Sequence, residues 1–386
     1  MRILMISDFF HPVLGGVEKH VRSLSAALVE RGHDVAVATL QRGDLPAFEV
    51  DQGVRVHRIQ GSAQRLSSLF SHPDRPWAPP VPDPELMWSL QRIVEMERPD
   101  VVHGHDWLAR SFVPLKPRHR ARFIVTLHYY TLTCAKKSLM YAGKPCAGPG
   151  LLRCTRCGVA HYGVAKGLPT VYGNWLMSKV EHRAVDMFFA VSHATAAGNG
   201  LVGSDWPYQV IPNFVPSGIA NTGGDTASFV AQLPPDGYLL FVGDLRREKG
   251  LHVLLDAHSS LPDPPPLVLI GKVWPETPAE FPPNVIVLKH WPNYAVMEAW
   301  RRSAVAIVPS IWPEPCATVA IEAMVSGRPV IATRIGGNPD MVLDGRTGIL
   351  VPEGDPGALR AALERLLGDR ALRDRMGDAG RQHAKA

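Results

Sequence analysis

Several things this 386-residue chain lacks narrow its class before any motif is read. No uncharged run approaches the roughly 18 apolar residues of a membrane span, which removes the helical membrane class. A strong charge of one sign is missing too: 41 Lys and Arg against 36 Asp and Glu leave +5. The cations read as scattered rather than gathered into a stripe, so no nucleic-acid partner is expected and small anionic ligands suit the balance better. The opening Met1-Arg2-Ile3-Leu4-Met5-Ile6-Ser7-Asp8 has no apolar core followed by a small-residue cleavage site, so the chain reads as cytoplasmic. There are only five cysteines, and four of them (Cys134, Cys146, Cys154, Cys157) fall within 24 residues. In a cytoplasmic chain that spacing favours a metal clip over a disulfide framework. Neither the dinucleotide pattern G-x-G-x-x-G nor an Asp-x-Asp metal motif is present, which weakens a nicotinamide enzyme and a metal-held diphosphate.

What is present repeats one unit. Ile3–Ile6 is a buried-strand run, a Gly15-Gly16 loop follows, and Val17, Val21, Leu24 and Leu28 recur at helical spacing until Gly32. Strands then read at His33–Leu40, Val101-Val102, Arg122–Leu127 and Met187–Val191. After a Gly-, Asn- and Thr-rich stretch at 217–228 they read again at Tyr238–Val242, Leu267–Ile270, Val285–Leu288, Ala304–Val308 and Pro329–Thr333. Helices begin near Leu251, Tyr294 and Thr318. Such alternation predicts two doubly wound parallel sheets, Rossmann-like, covered on both faces. The expected limits are 1–214 for the first domain with a Cys-rich insert at about 129–170, 215–230 for a linker and 231–386 for the second domain. Ligands of such sheets sit at the carboxyl ends of strands where the order switches.

Three segments carry chemistry. Gly15-Gly16 lies between a strand and a helix, where backbone N–H groups can approach an anion. Phe241-Val242-Gly243-Asp244-Leu245-Arg246-Arg247-Glu248-Lys249-Gly250 sets three cations in a glycine-bounded loop after a buried strand, a frame for a diphosphate. In Pro313-Glu314-Pro315-Cys316-Ala317-Thr318-Val319-Ala320-Ile321-Glu322, two carboxylates eight residues apart flank the opening of a helix. Carboxylates accept from paired hydroxyls, and the N–H groups of Cys316, Ala317 and Thr318 offer a phosphate site between them. The order carboxylate, phosphate site, carboxylate fits a nucleotide sugar.

The Glu-x7-Glu element, Gly15-Gly16-Val17-Glu18, Glu248-Lys249-Gly250, Ile211-Pro212-Asn213 and Gly336-Gly337 together resemble the retaining glycosyltransferases of family 4, from residue 1 to about 383. The resemblance implies a GT-B fold, two domains facing a central cleft. It implies transfer of a hexose from a nucleoside diphosphate sugar to a hydroxyl acceptor, without a metal for the chemistry. By position it makes Glu322 the ribose ligand, Glu314 the neighbour of the transferred sugar and Lys249 a phosphate ligand, and the Gly15-Gly16 loop approaches the same diphosphate. His128, in Thr126-Leu127-His128, becomes a contact of the donor sugar. His103, His105 and Asp106 end another strand and are candidates for the acceptor side.

The chain departs from the pattern in three places. Asp244 stands where an arginine is usual, so Arg246 or Arg247 is expected to substitute. The first glutamate is followed by Pro315-Cys316-Ala317 rather than Pro-Phe-Gly, and the family's last helix reads as shortened. Zinc, an iron–sulfur cluster or two disulfides all fit the four clustered cysteines. A nucleotide-sugar epimerase and a non-catalytic nucleotide-sugar-binding protein are the competing readings. The loops at 62–84 and 129–170 show no motif that names the acceptor, the donor base and the oligomeric state are not legible, and no helix combines a basic face with an apolar one, so membrane association has no support in the pattern.

Overall fold

The computed structural model describes every residue except 14, 63, 66–76, 217, 220–224, 236 and 386. Part of the 62–84 loop and part of the 217–228 stretch thus lie outside the described residues. The chain divides into two compact units, Met1–Ala142 with Cys146–Asn213, and Phe214–Ala386 with Gly143–Pro145.

The first unit is built on eight strands: β1 (Arg2–Ser7), β2 (Asp34–Leu40), β3 (Phe48–Asp51), β4 (Val54–Ile59), β5 (Val101–Gly104), β6 (Arg122–Leu127), β7 (Met187–Ala190) and β8 (Tyr208–Val210). Their order is β8-β7-β6-β5-β1-β2-β4-β3, parallel except for the edge pair of β3 and β4. Successive residues of β1 enter opposite layers: Leu4 and Ile6 join one core, Ile3 and Met5 the other. This is why the strand reads as a continuous apolar run instead of an alternating one. Helix α1 (Gly16–Glu30) covers one face, and α2 (Pro84–Glu97) starts where Asp83 accepts from the Glu85 and Leu86 amides with Pro84 in the first turn. The antiparallel hairpin at 48–59 is absent from the sequence reading, although Phe48-Glu49-Val50-Asp51 and Val54-Arg55-Val56-His57 alternate apolar and polar around Gln52-Gly53, a pattern that marks a hairpin. The 129–170 stretch, read as a loop, becomes helical from residue 151: α3 (Leu151–Tyr162) and α4 (Val164–Ala184) follow one another through Gly163.

The second unit has six parallel strands: β9 (Leu239–Val242), β10 (Leu267–Ile270), β11 (Val285–Leu288), β12 (Val305–Val308), β13 (Val330–Thr333) and β14 (Gly348–Val351), in the order β11-β10-β9-β12-β13-β14. Helices α5 (Leu251–Ser259), α6 (Asn293–Arg302), α7 (Thr318–Val325), α8 (Pro356–Gly368) and α9 (Arg370–His383) belong to this unit. Leu240 and Val268 enter one apolar layer, Leu239 and Leu269 the other.

Candidate functional site

Each sheet has one switch point, and the sequence-selected residues gather at both. In the second unit the order reverses between β9 and β12, which places two loops side by side at the carboxyl ends of those strands. Lys249 comes from the first loop and Glu314 from the second, and they meet as an ion pair. The other Glu314 oxygen accepts from the Ser310 hydroxyl at 2.6 Å. Glu314 is 8% exposed, so its charge is held by a cation and a hydroxyl rather than by solvent. Trp312 lies 5.3 Å from the Lys249 ammonium. Gly250, which ends the lysine loop, has φ of +76°, and a side chain there would run into the Pro309 carbonyl. Gly336 has φ of +59°, and a Cβ on it would come within 2.3 Å of the Glu314 carbonyl oxygen, which the Gly337 amide holds at 2.7 Å. The Gly336-Gly337 pair therefore seats the Glu314 loop.

Glu322 is the buried carboxylate of α7 and accepts from the Asn293 amide at 3.0 Å. Ala317 caps that helix with no side-chain hydrogen bond, and Thr318 opens it. The Cys316 sulfur packs 3.6 Å from the Met341 sulfur, as a core side chain would. Of the two arginines expected to replace the missing one, Arg246 is already committed: it pairs with Glu276 at 2.9 Å and lies 4.3 Å from the Trp274 ring. Arg247 is exposed. Trp274 follows β10 and has a second cation, Lys272, at 4.4 Å, an arrangement the sequence reading missed.

In the first unit the switch lies between β1 and β5. The Gly15 loop leaves β1, while His103 and His105 end β5 and His128 ends β6. His105 Nδ1 is 3.1 Å from His128 Nε2, and His103 Nε2 is 2.7 Å from the Thr126 hydroxyl. His20, on α1 and absent from the sequence reading, joins them with its ring 4.9 Å from that of His128. Its helical spacing could have found it, but a histidine on a helix of mixed polarity gives no signal of what it faces. Burial disfavours the charged rings: it pushes His20 down to about 4, His103 to about 3, and His105 and His128 well below the usual value, with neighbouring histidines adding to the effect. Asn213, the last residue of Ile211-Pro212-Asn213, acts on His128 in the opposite direction.

Asp106 is not an isolated group, since it pairs with Lys137 at 3.2 Å, and that ammonium also lies 3.8 Å from the Trp77 ring. Asp8, at the end of β1, was not singled out by its sequence. It accepts from the Leu108 and Ala78 amides, and burial, with Asp106 nearby, raises it to about 7. At Gly15 a side chain would meet the Glu18 carboxylate, which folds back from the third helical position as a capping glutamate does.

The four insert thiols are free and line one small pocket. Burial pushes the Cys134 thiol up, with the Leu139, Lys136 and Ser138 amides acting in the opposite direction. Among the described residues, however, the trio of metal-ligating side chains whose ligand atoms all come within 4.8 Å of one another is His20, His105 and His128, and the cysteines do not close to that distance.

Two families of sequence match these units. Residues 14–217 match the model described as Glycosyltransferase Family 4, and residues 227–383 match that described as Glycosyl transferases group 1. The chain belongs to glycosyltransferase family 4. A glycogen synthase of Mycobacterium tuberculosis is 27% identical over 99% of this chain and 90% of its own length. A D-inositol 3-phosphate glycosyltransferase of Arthrobacter sp. is 28% identical over 96% of this chain and 86% of its own. Among solved structures, the sucrose-phosphate synthase of Thermosynechococcus elongatus superposes with a TM-score of 0.76 at 21% identity, covering 100% of this chain and 94% of that one. Anabaena HepE in complex with UDP-glucose superposes with a TM-score of 0.68 at 16% identity, covering 99% and 94%. The family 4 chain thus has the GT-B fold and is a glycosyltransferase.

Proposed function

We propose that this glycosyltransferase moves a hexose from a nucleoside diphosphate sugar to a hydroxyl acceptor with retention at the anomeric carbon. The observation that carries the reading is the Lys249–Glu314 pair at the switch point of the second sheet. In this scheme Lys249, with Arg247 beside it and the opening of α7 at Cys316, Ala317 and Thr318, takes the donor diphosphate and stabilises the charge that develops on it as the sugar leaves. Glu322 accepts from the donor ribose and Glu314 faces the transferred sugar; the first unit's own candidate for a sugar contact is His128. The buried, neutral His128 ring suits a hydrogen-bonding role toward a sugar hydroxyl. The departing phosphate takes the acceptor proton, so the protein's contribution is electrostatic and no metal enters the chemistry. The relative crystallised with UDP-glucose supports a sugar nucleotide as donor. The acceptor belongs to the first unit, beside His103 and His105. In the insert, the four thiols are the seat of a structural zinc that draws their sulfurs together on binding.

The test is thermal shift of the purified chain with UDP-, ADP-, GDP- and TDP-glucose, since a bound donor stabilises by mass action. One nucleotide sugar should raise the melting temperature in the wild type and fail to do so in Lys249→Ala. No shift with any of them would overturn the donor assignment.

A further inference from the structure

Helix α4 buries polar and apolar groups together on its inward side: Val171 and Met177 pack there, and Asn174 and Glu181 are buried beside them and both bind the buried Arg110 guanidinium, at 2.8 and 2.9 Å. Its outward side carries Tyr172, Trp175, Leu176, Lys179, Val180 and Arg183, all exposed, at i, i+3, i+4, i+7, i+8 and i+11. Trp175 is 50% exposed and Leu176 54%, and the Lys179 ammonium stands 3.7 Å from the Trp175 ring centroid. An apolar and aromatic stripe of this length on an exposed helix face asks for a partner.

The charge around it says which. From Tyr129 to Ala184 there are eight lysines and arginines and one carboxylate, a balance of +7 within a chain whose total is +5. That single carboxylate is Glu181, already consumed by Arg110. Lys137 among the cations is already paired with Asp106, but the others remain concentrated in this stretch, contrary to the scattered pattern read from the sequence, and α3 and α4 expose no acidic group. Leu151 continues the apolar surface, lining one cleft with Trp175, Lys179 and Arg183. Among the described residues no helix is long and apolar enough to cross a bilayer.

We propose that the outward face of α4 docks on the surface of an anionic lipid bilayer. Tryptophan and tyrosine settle at the level of the headgroups, Leu176 and Val180 enter the acyl boundary, and Lys179 and Arg183 reach lipid phosphates with their stems on the apolar side. A protein partner would need its own acidic patch around an apolar groove, whereas an anionic bilayer supplies both over any area. An RNA partner would leave Leu176 and Val180 without an apolar counterpart.

The experiment is cosedimentation of the full chain with vesicles of phosphatidylcholine alone or with about 30% phosphatidylglycerol, at low salt and at ~0.5 M salt. The expected result is binding to the anionic vesicles only, lost at high salt, with the bound fraction falling about tenfold in K179E/R183E and in W175S/L176S. Trp88→Ser, an exposed tryptophan of α2, should bind as wild type, and equal melting temperatures keep misfolding apart from loss of docking. Equal binding to neutral vesicles, or unchanged binding by both double variants, overturns the proposal. So does a dimer in solution that Trp175→Asp disperses without any vesicle binding by the wild type, which would assign the face to a second copy. RNA retention that survives W175S/L176S, again without vesicle binding, would likewise overturn it.

Discussion

Lys249 and Glu314 lie 65 positions apart and form an ion pair, because the two strands that deliver them, β9 and β12, are neighbours at the reversal of strand order. The pair holds a carboxylate in place without a ligand and leaves Lys249 poised between Glu314 and Trp312. Replacing one partner alone leaves the other charge poorly compensated. In steady-state assays with the donor found by thermal shift, Lys249→Ala should lower kcat by about 10²–10³-fold, the scale for losing one preorganised charge-stabilising donor. Glu314→Gln keeps the shape and should lower kcat with a smaller effect on donor affinity. A Lys249→Ala variant with unchanged kcat would remove the lysine from the mechanism.

Gly336→Ala should destabilise the second unit by displacing the backbone of the Glu314 loop. The new methyl would sit within hydrogen-bond distance of the Glu314 backbone at a left-handed φ, so the loop must move. A loss of about 1–3 kcal/mol is expected, read by urea denaturation, together with weakened donor binding. Gly368→Ala, at the end of α8, is the control, since a Cβ there meets nothing.

Stability should fall as pH drops from about 6.5 toward 4. His20, His103, His105 and His128 are held neutral by burial, so in this window the unfolded chain binds protons that the native chain does not. Each ring can contribute a slope of up to about 1.4 kcal/mol per pH unit. Asp8 acts in the opposite sense: raised to about 7, it is protonated in the native chain and ionised in the unfolded one above the ordinary carboxylate range, so its own contribution is lost as pH rises. Melting temperatures taken through this range should therefore show a shallower acid slope in His103→Gln and a steeper one in Asp8→Asn. A wild-type profile flat from pH 6.5 to 4 would contradict the buried-neutral histidines.

Arg110→Met should cost about 3–5 kcal/mol, because it strands the buried Glu181 carboxylate. Adding Glu181→Leu should recover much of that loss, and chemical denaturation of the three proteins measures it. Additive losses in the double variant would argue that each residue has a separate role.

The zinc proposal for the insert predicts close to one metal per purified chain by elemental analysis, with loss of metal and a lower melting temperature in C154S/C157S. Less than a tenth of a metal per chain would dismiss it.

How much of this was legible in the residues can be judged strand by strand. β10 and β12 are wholly buried apolar runs and β9 nearly so, and such runs announce themselves. β8, short and half exposed, does not, and the 48–59 hairpin is marked only by its alternation around Gln52-Gly53. Lys249, Glu314, Glu322, Gly336 and His128 stood out because their neighbours form motifs with a fixed local geometry. His20 and Asp8 did not stand out: His20 follows Glu18-Lys19 on a helix of mixed polarity, Asp8 follows Ser7 at a strand end, and the environment of each comes from segments distant in sequence.

The sequence by itself determined the fold class and pointed to most of the candidate site residues, since strand–loop–helix periodicity and the loop glycines are local properties. Only the tertiary structure decided which residues meet. Strand order put Lys249 against Glu314, took Arg246 away to Glu276, gathered four histidines around one switch point, and set Arg110 beneath α4. That last contact turns Asn174 and Glu181 inward beside Val171 and Met177 and leaves Trp175 and Leu176 outside. The spacing in α4 shows two faces, but the arginine that decides which of them is buried comes from a segment more than sixty positions away.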